Sequence, residues 1–221
     1  MKKVMVVSAH FDDLVLGLGA TVAKYSSEGA LIHNLILGEP KMTSRGVDKD
    51  LTEVTEKAND ILGADTFFYN LPDQKFDAAD RLKLNKDVET HIRRFKPHIV
   101  YTHWKNDLNR DHQITYEATM VACRPRRPRS LYPKDPRIIY PREMLSFHVP
   151  GASDWSFVGF NPNVFVNISD FMDRKIEALE CFEGEIIEER SVDSIKAFNR
   201  HWGAVVGVNY AEPFVLVRGI R

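Results

Sequence analysis

The amino-acid sequence predicts an α/β fold, a Rossmann-like three-layer sandwich with a mostly parallel sheet. In the first half of the chain, four short runs of apolar, β-favouring residues alternate with three segments of helical periodicity. This alternation is typical of βαβ units with right-handed crossovers. The chain has 221 residues, of which 43% are hydrophobic and 28% are charged, and it can bury a large core. Because the sequence contains no internal repeat and no low-complexity stretch, we expect residues 1–221 to form a single domain.

Each predicted element follows from its hydrophobic period and from the residues that end helices and strands. The first strand begins at Val4 and stops at His10, where apolar residues give way to polar ones. Gly63 ends the second helix, and Pro97 stops the third. The other strands are predicted at residues 31–37, 66–69, 98–102, 138–149 and 163–167, with a last apolar run up to residue 219, and the helices at residues 14–28, 52–62, 82–95, 114–123, 169–183 and 191–202.

The order of these elements predicts where a ligand would bind. In the usual doubly wound arrangement, the fourth strand lies beside the first. The crevice at the carboxyl ends of these two strands is then the switch point at which such sheets bind ligands. Polar side chains that follow the first strand should therefore meet those that follow the fourth.

Three chemically active residues, His10, Asp12 and Asp13, come directly after the first strand. His10 and Asp13 are three residues apart at a strand-to-helix turn, so both side chains can lean toward one point, whereas Asp12 projects differently. An imidazole and a carboxylate suit a cation such as zinc, and a second, free carboxylate could accept a proton from an activated water. The alternative is that Asp12 or Asp13 only caps the following helix, which does not account for all three residues.

The loop after the fourth strand supplies the partners that such a site needs. His112 opens the next helix, and His10, Asp13 and His112 would leave a fourth position free, as in a catalytic zinc site. Asp111 could orient a neighbouring histidine, hold a substrate or cap the helix. His103 ends the fourth strand and is either a site residue or an ordinary hydrogen-bonded histidine.

Charge and cysteine content narrow the class of function. Lysine and arginine total 30 and aspartate and glutamate total 31, a net charge of −1, so no overall field favours nucleic acid or an anionic membrane. Residues 124–129 form a basic, proline-containing cluster without aromatic residues, which we interpret as a solvated loop from which Arg124 could reach the site. No apolar run has membrane-spanning length. The two cysteines make no disulfide framework, so we expect a reduced, cytoplasmic protein without a membrane or nucleic-acid partner.

Four motifs carry a resemblance to a known family. The first two read Ala9-His10-Phe11-Asp12-Asp13-Leu14 and Asn106-Asp107-Leu108-Asn109-Arg110-Asp111-His112. The other two read Phe160-Asn161-Pro162-Asn163-Val164-Phe165-Val166 and Tyr210-Ala211-Glu212-Pro213-Phe214. Together they resemble the PIG-L/LmbE-like zinc-dependent N-deacetylases, and the resemblance covers nearly the whole chain.

The resemblance implies an LmbE-like fold and a particular reaction. The family's metal ligands fall on His10, Asp13 and His112, its general base falls on Asp12, and we expect Asp111 to steady the catalytic site. The implied reaction is removal of an N-acetyl or other N-acyl group from an amino sugar or a sugar-containing small molecule by a zinc-activated water. The implied cofactor is Zn²⁺, for which Fe²⁺ or Co²⁺ could substitute. The implied partners are an N-acetylated sugar and further copies of the chain, in a trimer or hexamer.

The chain departs from the family pattern around these residues. Phe11 and Leu14 stand where the family carries Pro and Glu. Leu51 and Val54 occupy the places of an Arg and a Glu of the family's substrate site, and Arg45 could replace the missing arginine. The identity of the substrate therefore follows less directly than the chemistry.

Four more residues are predicted to complete the substrate site. His103, Asn109 or a tyrosine would donate to the oxyanion, a contribution typically worth about 3 kcal/mol. Arg124 or Trp155 would contact the sugar.

Two other functions compete with hydrolysis. The replaced polar residues are consistent with a non-catalytic sugar- or nucleotide-binding protein on the same fold. A glycosyl or phosphoryl transferase would use Asp12 and Asp13 for magnesium, but the histidines argue against it because magnesium prefers oxygen ligands.

Overall fold

The computed structural model describes residues 1–41, 49–125, 141–156, 158–182 and 190–220. Within these ranges helices and strands alternate as far as the fifth strand, and the remaining elements follow in mixed order. The strands are β1 (Lys3–Ser8), β2 (Leu31–Gly38), β3 (Asp65–Leu71), β4 (Ile99–His103), β5 (Glu143–Phe147), β6 (Val164–Asn167) and β7 (Ala211–Gly219). The helices are α1 (Asp13–Ser27), α2 (Thr52–Leu62), α3 (Arg81–Phe95), α4 (Arg110–Ala122), α5 (Met172–Glu180) and α6 (Val192–Val206).

The strands form one mixed, mostly parallel sheet with the order β3-β2-β1-β4-β5-β7-β6. Strands β1 to β5 pair in parallel, whereas β7 pairs antiparallel with both β5 and β6. Strand β1 lies between β2 and β4, and Val7 of β1 is in register with Thr102 of β4. The prediction that strand four lies beside strand one is therefore confirmed, and their carboxyl ends form the switch point.

Helices cover both faces of the sheet, as the period of β1 shows. Val4 and Val6 belong to a buried cluster with residues of α1, α2 and α5, whereas Met5 and Val7 belong to a second cluster with residues of α3 and α4. Alternate side chains of a strand point to opposite faces, and a parallel sheet needs cover on both. The three-layer arrangement predicted from the sequence is confirmed.

The boundaries of several elements differ from the predicted ones. The helix predicted at residues 169–183 is Met172–Glu180, and the strand predicted at residues 138–149 is Glu143–Phe147, with residues 138–140 outside the described ranges. Residues 73–80, whose polar sequence predicts a loop, contain a short 3₁₀ turn that buries Phe76 completely. No helix in the described part of the chain combines the length and the apolar character needed to cross a membrane.

Helix α1 is interrupted in its middle. Leu18 has φ −150° and ψ 20°, which is not helical. The carboxylate of Glu212 accepts hydrogen bonds from the backbone N–H groups of Ala20 (3.2 Å) and Thr21 (2.7 Å), just beyond the break. Before the break, the Nζ of Lys175 donates to the carbonyl of Leu16 (2.9 Å) and also to Glu212 (2.7 Å). A buried ion pair therefore satisfies the backbone groups on the two sides of the interruption.

Candidate active site

Three predicted metal ligands meet at the carboxyl ends of β1 and β4. His10 follows β1, Asp13 is the first residue of α1, and His112 lies in the first turn of α4. The Nδ1 of His10 lies 3.1 Å from the Nε2 of His112 and 3.6 Å from the Oδ2 of Asp13. The Nε2 of His112 lies 3.4 Å from the Oδ1 of Asp13. These residues form one group whose ligand atoms are close enough to hold a metal ion.

The spacing of these atoms fits a tetrahedral cation. With metal–ligand bonds of about 2.0–2.1 Å, two ligands at a tetrahedral centre are about 3.3 Å apart. The two histidine nitrogens are 3.1 Å apart, and they lie 3.6 and 3.4 Å from the Oδ2 and the Oδ1 of Asp13, respectively. The Oδ1 of Asp13 is buried and has no hydrogen-bond partner among the described residues. A buried carboxylate oxygen without a donor is costly, and a cation at this point would satisfy it.

The electrostatics of the cluster also favour a positive charge there. Burial lowers the pKa of His10, but its hydrogen bonds to Asp111 and Asp13 and the charges of Asp13 and Asp12 outweigh burial and raise the pKa to about 10. Burial likewise lowers the pKa of His112, but the charges of Asp13 and Asp107 raise it to about 9. Burial raises the pKa of Asp13, but the charge of His112 and the hydrogen bond with His10 outweigh burial and hold that pKa well below its usual range. The negative potential that raises the histidine pKa values would equally attract a divalent cation.

Other carboxylates contact the far nitrogens of both candidate ligand rings. The Nε2 of His10 lies 3.4 Å from the Oδ2 of Asp111 and 3.5 Å from the Oδ1 of Asp73. The Nδ1 of His112 lies 3.1 Å from the Oδ2 of Asp107. Carboxylates in this position fix the orientation of a ligating histidine. The arrangement therefore favours the interpretation of Asp111 as a residue that orients a histidine.

Two of these carboxylates are themselves held in place. Asp111 accepts hydrogen bonds from the backbone N–H groups of Gln74 (2.7 Å) and Phe76 (3.2 Å). Asp107 accepts from the Oγ of Ser153 (2.6 Å), on the segment that follows β5. The His10, Asp73 and Asp111 donor atoms also form a second group of potential metal ligands. Because Asp111 already accepts two backbone donors, we interpret this second group as support for His10.

His103 does not occupy the position that the sequence predicts for a substrate contact. Its side chain is completely buried, and its ring stacks on that of His112 with centroids 3.9 Å apart. Its Nε2 accepts the backbone N–H of Ala9 (2.9 Å) and lies 3.1 Å from the Oδ2 of Asp13. Burial and the charge of His112 lower its pKa to about 4. The burial of this ring against His112 and Asp13 favours a role in supporting the candidate ligands over direct contact with a substrate.

Asp12 does not cap helix α1. It occupies the position before the first helical residue, but its side chain makes no capping hydrogen bond. Its Oδ2 instead accepts from the Nη1 of Arg190 at 2.9 Å, and the Asp12 side chain keeps 11% of its surface exposed. The cap interpretation therefore fails for Asp12, whose carboxylate pairs with Arg190 and is largely buried.

The remaining predicted substrate contacts lie in different places. Asn109 caps α4, its side chain accepting the N–H of Asp111. Trp155 is 73% exposed and lies two residues after Ser153, on the rim of the site. Arg124 is exposed beyond the carboxyl end of α4, about 18 Å along the helix from the site by its 1.5 Å rise per residue, so the structure does not bring it to the site. Arg45 lies outside the described residues.

The departures from the family pattern are packed into the interior. Leu14 and Leu51 are completely buried in the cluster that covers one face of the sheet, and Val54 packs against it. At these positions the chain has apolar packing where the resemblance implies polar groups. The described part of the site draws its polar groups from other segments instead.

Sequence reasoning missed Asp73, Asp107 and Arg190 as parts of the site. Asp107 belongs to the second motif, and its position five residues before His112 offered a usable signal. Asp73 lies in a segment predicted only as a loop, and Arg190 is 178 residues from its partner Asp12. No local spacing connects either of these two residues to the first motif.

The fold and this cluster together define an α/β protein with two histidines and one carboxylate that could hold a cation at the switch point of its sheet. The sequence further assigns this protein to a family. The chain belongs to the PIG-L family, described as GlcNAc-PI de-N-acetylase, whose model matches residues 5–123. The family prediction is thereby confirmed.

Two curated relatives carry different activities in their names. The 4-oxalmesaconate hydratase of Pseudomonas putida is 27% identical over 203 residues, covering 83% of this chain and 74% of the hydratase. The diacetylchitobiose deacetylase of Thermococcus kodakarensis is 26% identical over 241 residues, covering 100% of this chain and 85% of the deacetylase. Similarity at this level does not by itself separate the two reactions.

Solved structures confirm the LmbE-like fold. A conserved protein of Thermus thermophilus superposes with a TM-score of 0.83 at 27% identity, covering 100% of this chain and 97% of its own. The 4-carboxy-2-hydroxymuconate hydratase of Pseudomonas putida gives a TM-score of 0.82 at 23% identity, with coverage of 100% and 98%. The N,N'-diacetylchitobiose deacetylase of Pyrococcus horikoshii gives 0.78 at 19% identity, with coverage of 99% and 84%.

Proposed function

We propose that this protein is a metal-dependent hydrolase that removes an N-acetyl or other N-acyl group from an amino sugar or a sugar-containing small molecule. One observation carries the proposal. Ligand atoms of His10, Asp13 and His112 lie close enough to hold one cation, and the carboxylate of Asp12, whose side chain is 11% exposed, lies beside them. The family and the relatives named as deacetylases support the same reaction.

The chemistry divides between the cation and the chain. Zn²⁺, Fe²⁺ or Co²⁺ held by His10, Asp13 and His112 would polarise the scissile carbonyl and lower the pKa of a water. Asp12 accepts a proton from the attacking water and returns it to the leaving amine, a role typically worth a factor of about 10² to 10⁴. Asp111 and Asp107 hold the two imidazoles in the orientation that binding requires.

The charge of the site favours a neutral amide as substrate. Carboxylates outnumber guanidinium groups among the described residues around the cluster, and a divalent cation leaves their balance negative. The groups concerned are Asp12, Asp13, Asp73, Asp107, Asp111 and Arg190. Such a group of side chains favours a product amine that becomes a cation.

Hydration of an unsaturated polycarboxylate is the second candidate, because one relative at 27% identity over 83% of this chain is named as a hydratase. Both reactions begin with the attack of water assisted by a base, so Asp12 serves either one. The electrophile differs, since hydrolysis breaks an amide bond and hydration saturates a carbon–carbon double bond. The family description as a de-N-acetylase and the relative named as a deacetylase favour the first reaction.

The proposal is tested with protein loaded with zinc, cobalt or iron(II). Acetate release is measured on N-acetylglucosamine and N,N'-diacetylchitobiose, and loss of ultraviolet absorbance is measured on 4-oxalmesaconate. We expect acetate release, its loss on chelation and its recovery on adding metal. The Asp12→Asn variant controls for contaminating enzymes, because it should bind metal without releasing acetate.

Other outcomes would contradict the proposal in different ways. Loss of absorbance on 4-oxalmesaconate without acetate release would indicate a hydratase. Binding of the sugars without turnover of any compound would favour the non-catalytic sugar- or nucleotide-binding alternative. Equal acetate release by the wild type and Asp12→Asn would remove Asp12 from the reaction.

A further inference from the structure

Arg190 connects three parts of the site that are distant in sequence. It lies just before α6, and its Nη1 donates to the Oδ2 of Asp12 at 2.9 Å. Its Nε donates to the carbonyl of Pro150 at 3.2 Å, on the segment that follows β5. The arginine side chain is 14% exposed. The guanidinium thus lies between Asp12, the loop after β5 and the start of α6.

We propose that Arg190 is a positioning residue that fixes the carboxylate of Asp12 for proton transfer, an inference that rests on the proposed function. Asp12 lacks the capping hydrogen bond that would otherwise hold its side chain against α1. Within the described ranges, Arg190 is the hydrogen-bond partner of the Asp12 carboxylate. Without it, the carboxylate can rotate about its side-chain bonds and leave the position required of a base.

The two contacts of Arg190 explain why an arginine suits this position. The guanidinium is planar and its N–H groups point in fixed directions. The carbonyl of Pro150 sets the plane through Nε, so the Nη1–H reaches Asp12 from one direction only. Asp12 Oδ2 is then occupied by Arg190, and Oδ1 remains to exchange the proton. A lysine would keep the charge but has no rigid fork to make both contacts.

The contact between Arg190 and Asp12 also predicts which kinetic constant changes when Arg190 is replaced. A base that is displaced by about 1 Å can lose up to about 100-fold in rate. The displacement affects proton transfer, whereas substrate affinity depends on other contacts. We therefore expect kcat to fall and KM to stay nearly constant when Arg190 is replaced.

The kinetic test compares Arg190→Ala, Arg190→Lys and the control Arg200→Ala in zinc-loaded protein acting on whichever of the two N-acetylated sugars the wild type turns over. Arg200 is an exposed arginine of α6 that hydrogen-bonds to Asn209, away from the candidate site. We expect Arg190→Ala to lower kcat about 10- to 100-fold with KM within about twofold, Arg190→Lys to recover part of it, and Arg200→Ala to change neither constant. A rise in KM with unchanged kcat would overturn the proposal in favour of substrate binding by Arg190. A lower free energy of unfolding with unchanged kcat would overturn it in favour of a structural tether.

A structural test decides the inference even if the wild type turns over no acetamide. Crystal structures of the wild type and of Arg190→Ala are compared at the Asp12 side chain. We expect the carboxylate to move by about 1 Å or more in the variant, with the positions of His10 and His112 unchanged. If Asp12 keeps its place without Arg190, the proposal is wrong. Absence of acetamide turnover in the wild type would count only against the proposed function.

Discussion

Replacing Glu212 with glutamine removes the charge that joins the two halves of helix α1. The glutamine keeps the shape of the side chain but leaves the ammonium of Lys175 buried without its ionic partner, since both side chains are almost completely inaccessible. It also weakens the acceptor of the N–H groups of Ala20 and Thr21 beyond the break at Leu18. Asp13, the candidate metal ligand, lies in the first half of this helix, so the perturbation should reach the site.

The structure allows the cost to be bounded. Breaking a buried ion pair by removing one partner typically costs about 3–5 kcal/mol. Hydrogen bonds to charged groups contribute about 1.5–3 kcal/mol each, but these terms overlap and do not add. We therefore expect Glu212→Gln to lower the free energy of unfolding by about 3–5 kcal/mol. Against a typical total of about 5–15 kcal/mol, the variant should fold but be marginally stable.

The assay is urea unfolding of metal-free protein, so that the measured free energy of unfolding contains no contribution from bound metal. The control is Lys83→Met, which removes an ion pair of equal length, 2.7 Å, between side chains that are 66% and 34% exposed. An exposed pair contributes at most about 1 kcal/mol, so this control should change stability little. The contrast between the two variants isolates the effect of burial.

A double variant tests the reasoning further. If Lys175→Met is combined with Glu212→Gln, no uncompensated charge remains, and the loss should be smaller than the sum of the single losses. Strictly additive losses would show that the two side chains do not act as a pair. A loss below about 1 kcal/mol for Glu212→Gln alone would show that the contact is no stronger than a surface ion pair.

Three further predictions concern the site and the pH dependence of stability. Asp12→Asn should keep bound zinc while kcat falls by a factor of about 10² to 10⁴, whereas His112→Ala should lose both zinc and activity. Metal analysis and acetate release measure these effects. Full activity of Asp12→Asn would contradict its assignment as the base. Asp107→Asn should weaken zinc binding about 10- to 100-fold, because the ring of His112 loses the carboxylate that orients it. Chelator competition measures the affinity, and an unchanged value would show that Asp107 has no such role. Burial lowers the pKa of both His33 and His91, so below the unfolded pKa of about 6.5 the unfolded chain binds more protons than the folded one and stability falls as pH falls. The raised pKa values of His10 and His112 act in the opposite sense, so the effect is measured as a difference between two proteins. Between about pH 7.5 and about pH 5.5, urea unfolding should show a less favourable change in stability for the wild type than for a variant with His33 and His91 replaced by glutamine.

Much of the candidate cluster could be predicted because it depends on local sequence and on one general rule of topology. His10 and Asp13 lie within four residues at a strand-to-helix turn, so their proximity needs no long-range contact. His112 joins them because strands one and four are neighbours in the usual order of a doubly wound sheet. The order of the strands does not specify whether a side chain near the switch point is exposed or buried. The position of His103 at the end of the fourth strand is therefore predictable, whereas its complete burial is not.

The sequence by itself determined the layered α/β fold, the family, and the three residues whose ligand atoms converge, because hydrophobic period and motif spacing act over a few residues. The tertiary structure alone decided that Asp12 is held by Arg190, that Asp73 approaches His10, and that Arg124 lies at the far end of its helix. These contacts join segments that are separated by tens to hundreds of residues in sequence. They depend on how loops and helices pack around the sheet, and no period or local spacing in the sequence encodes that packing.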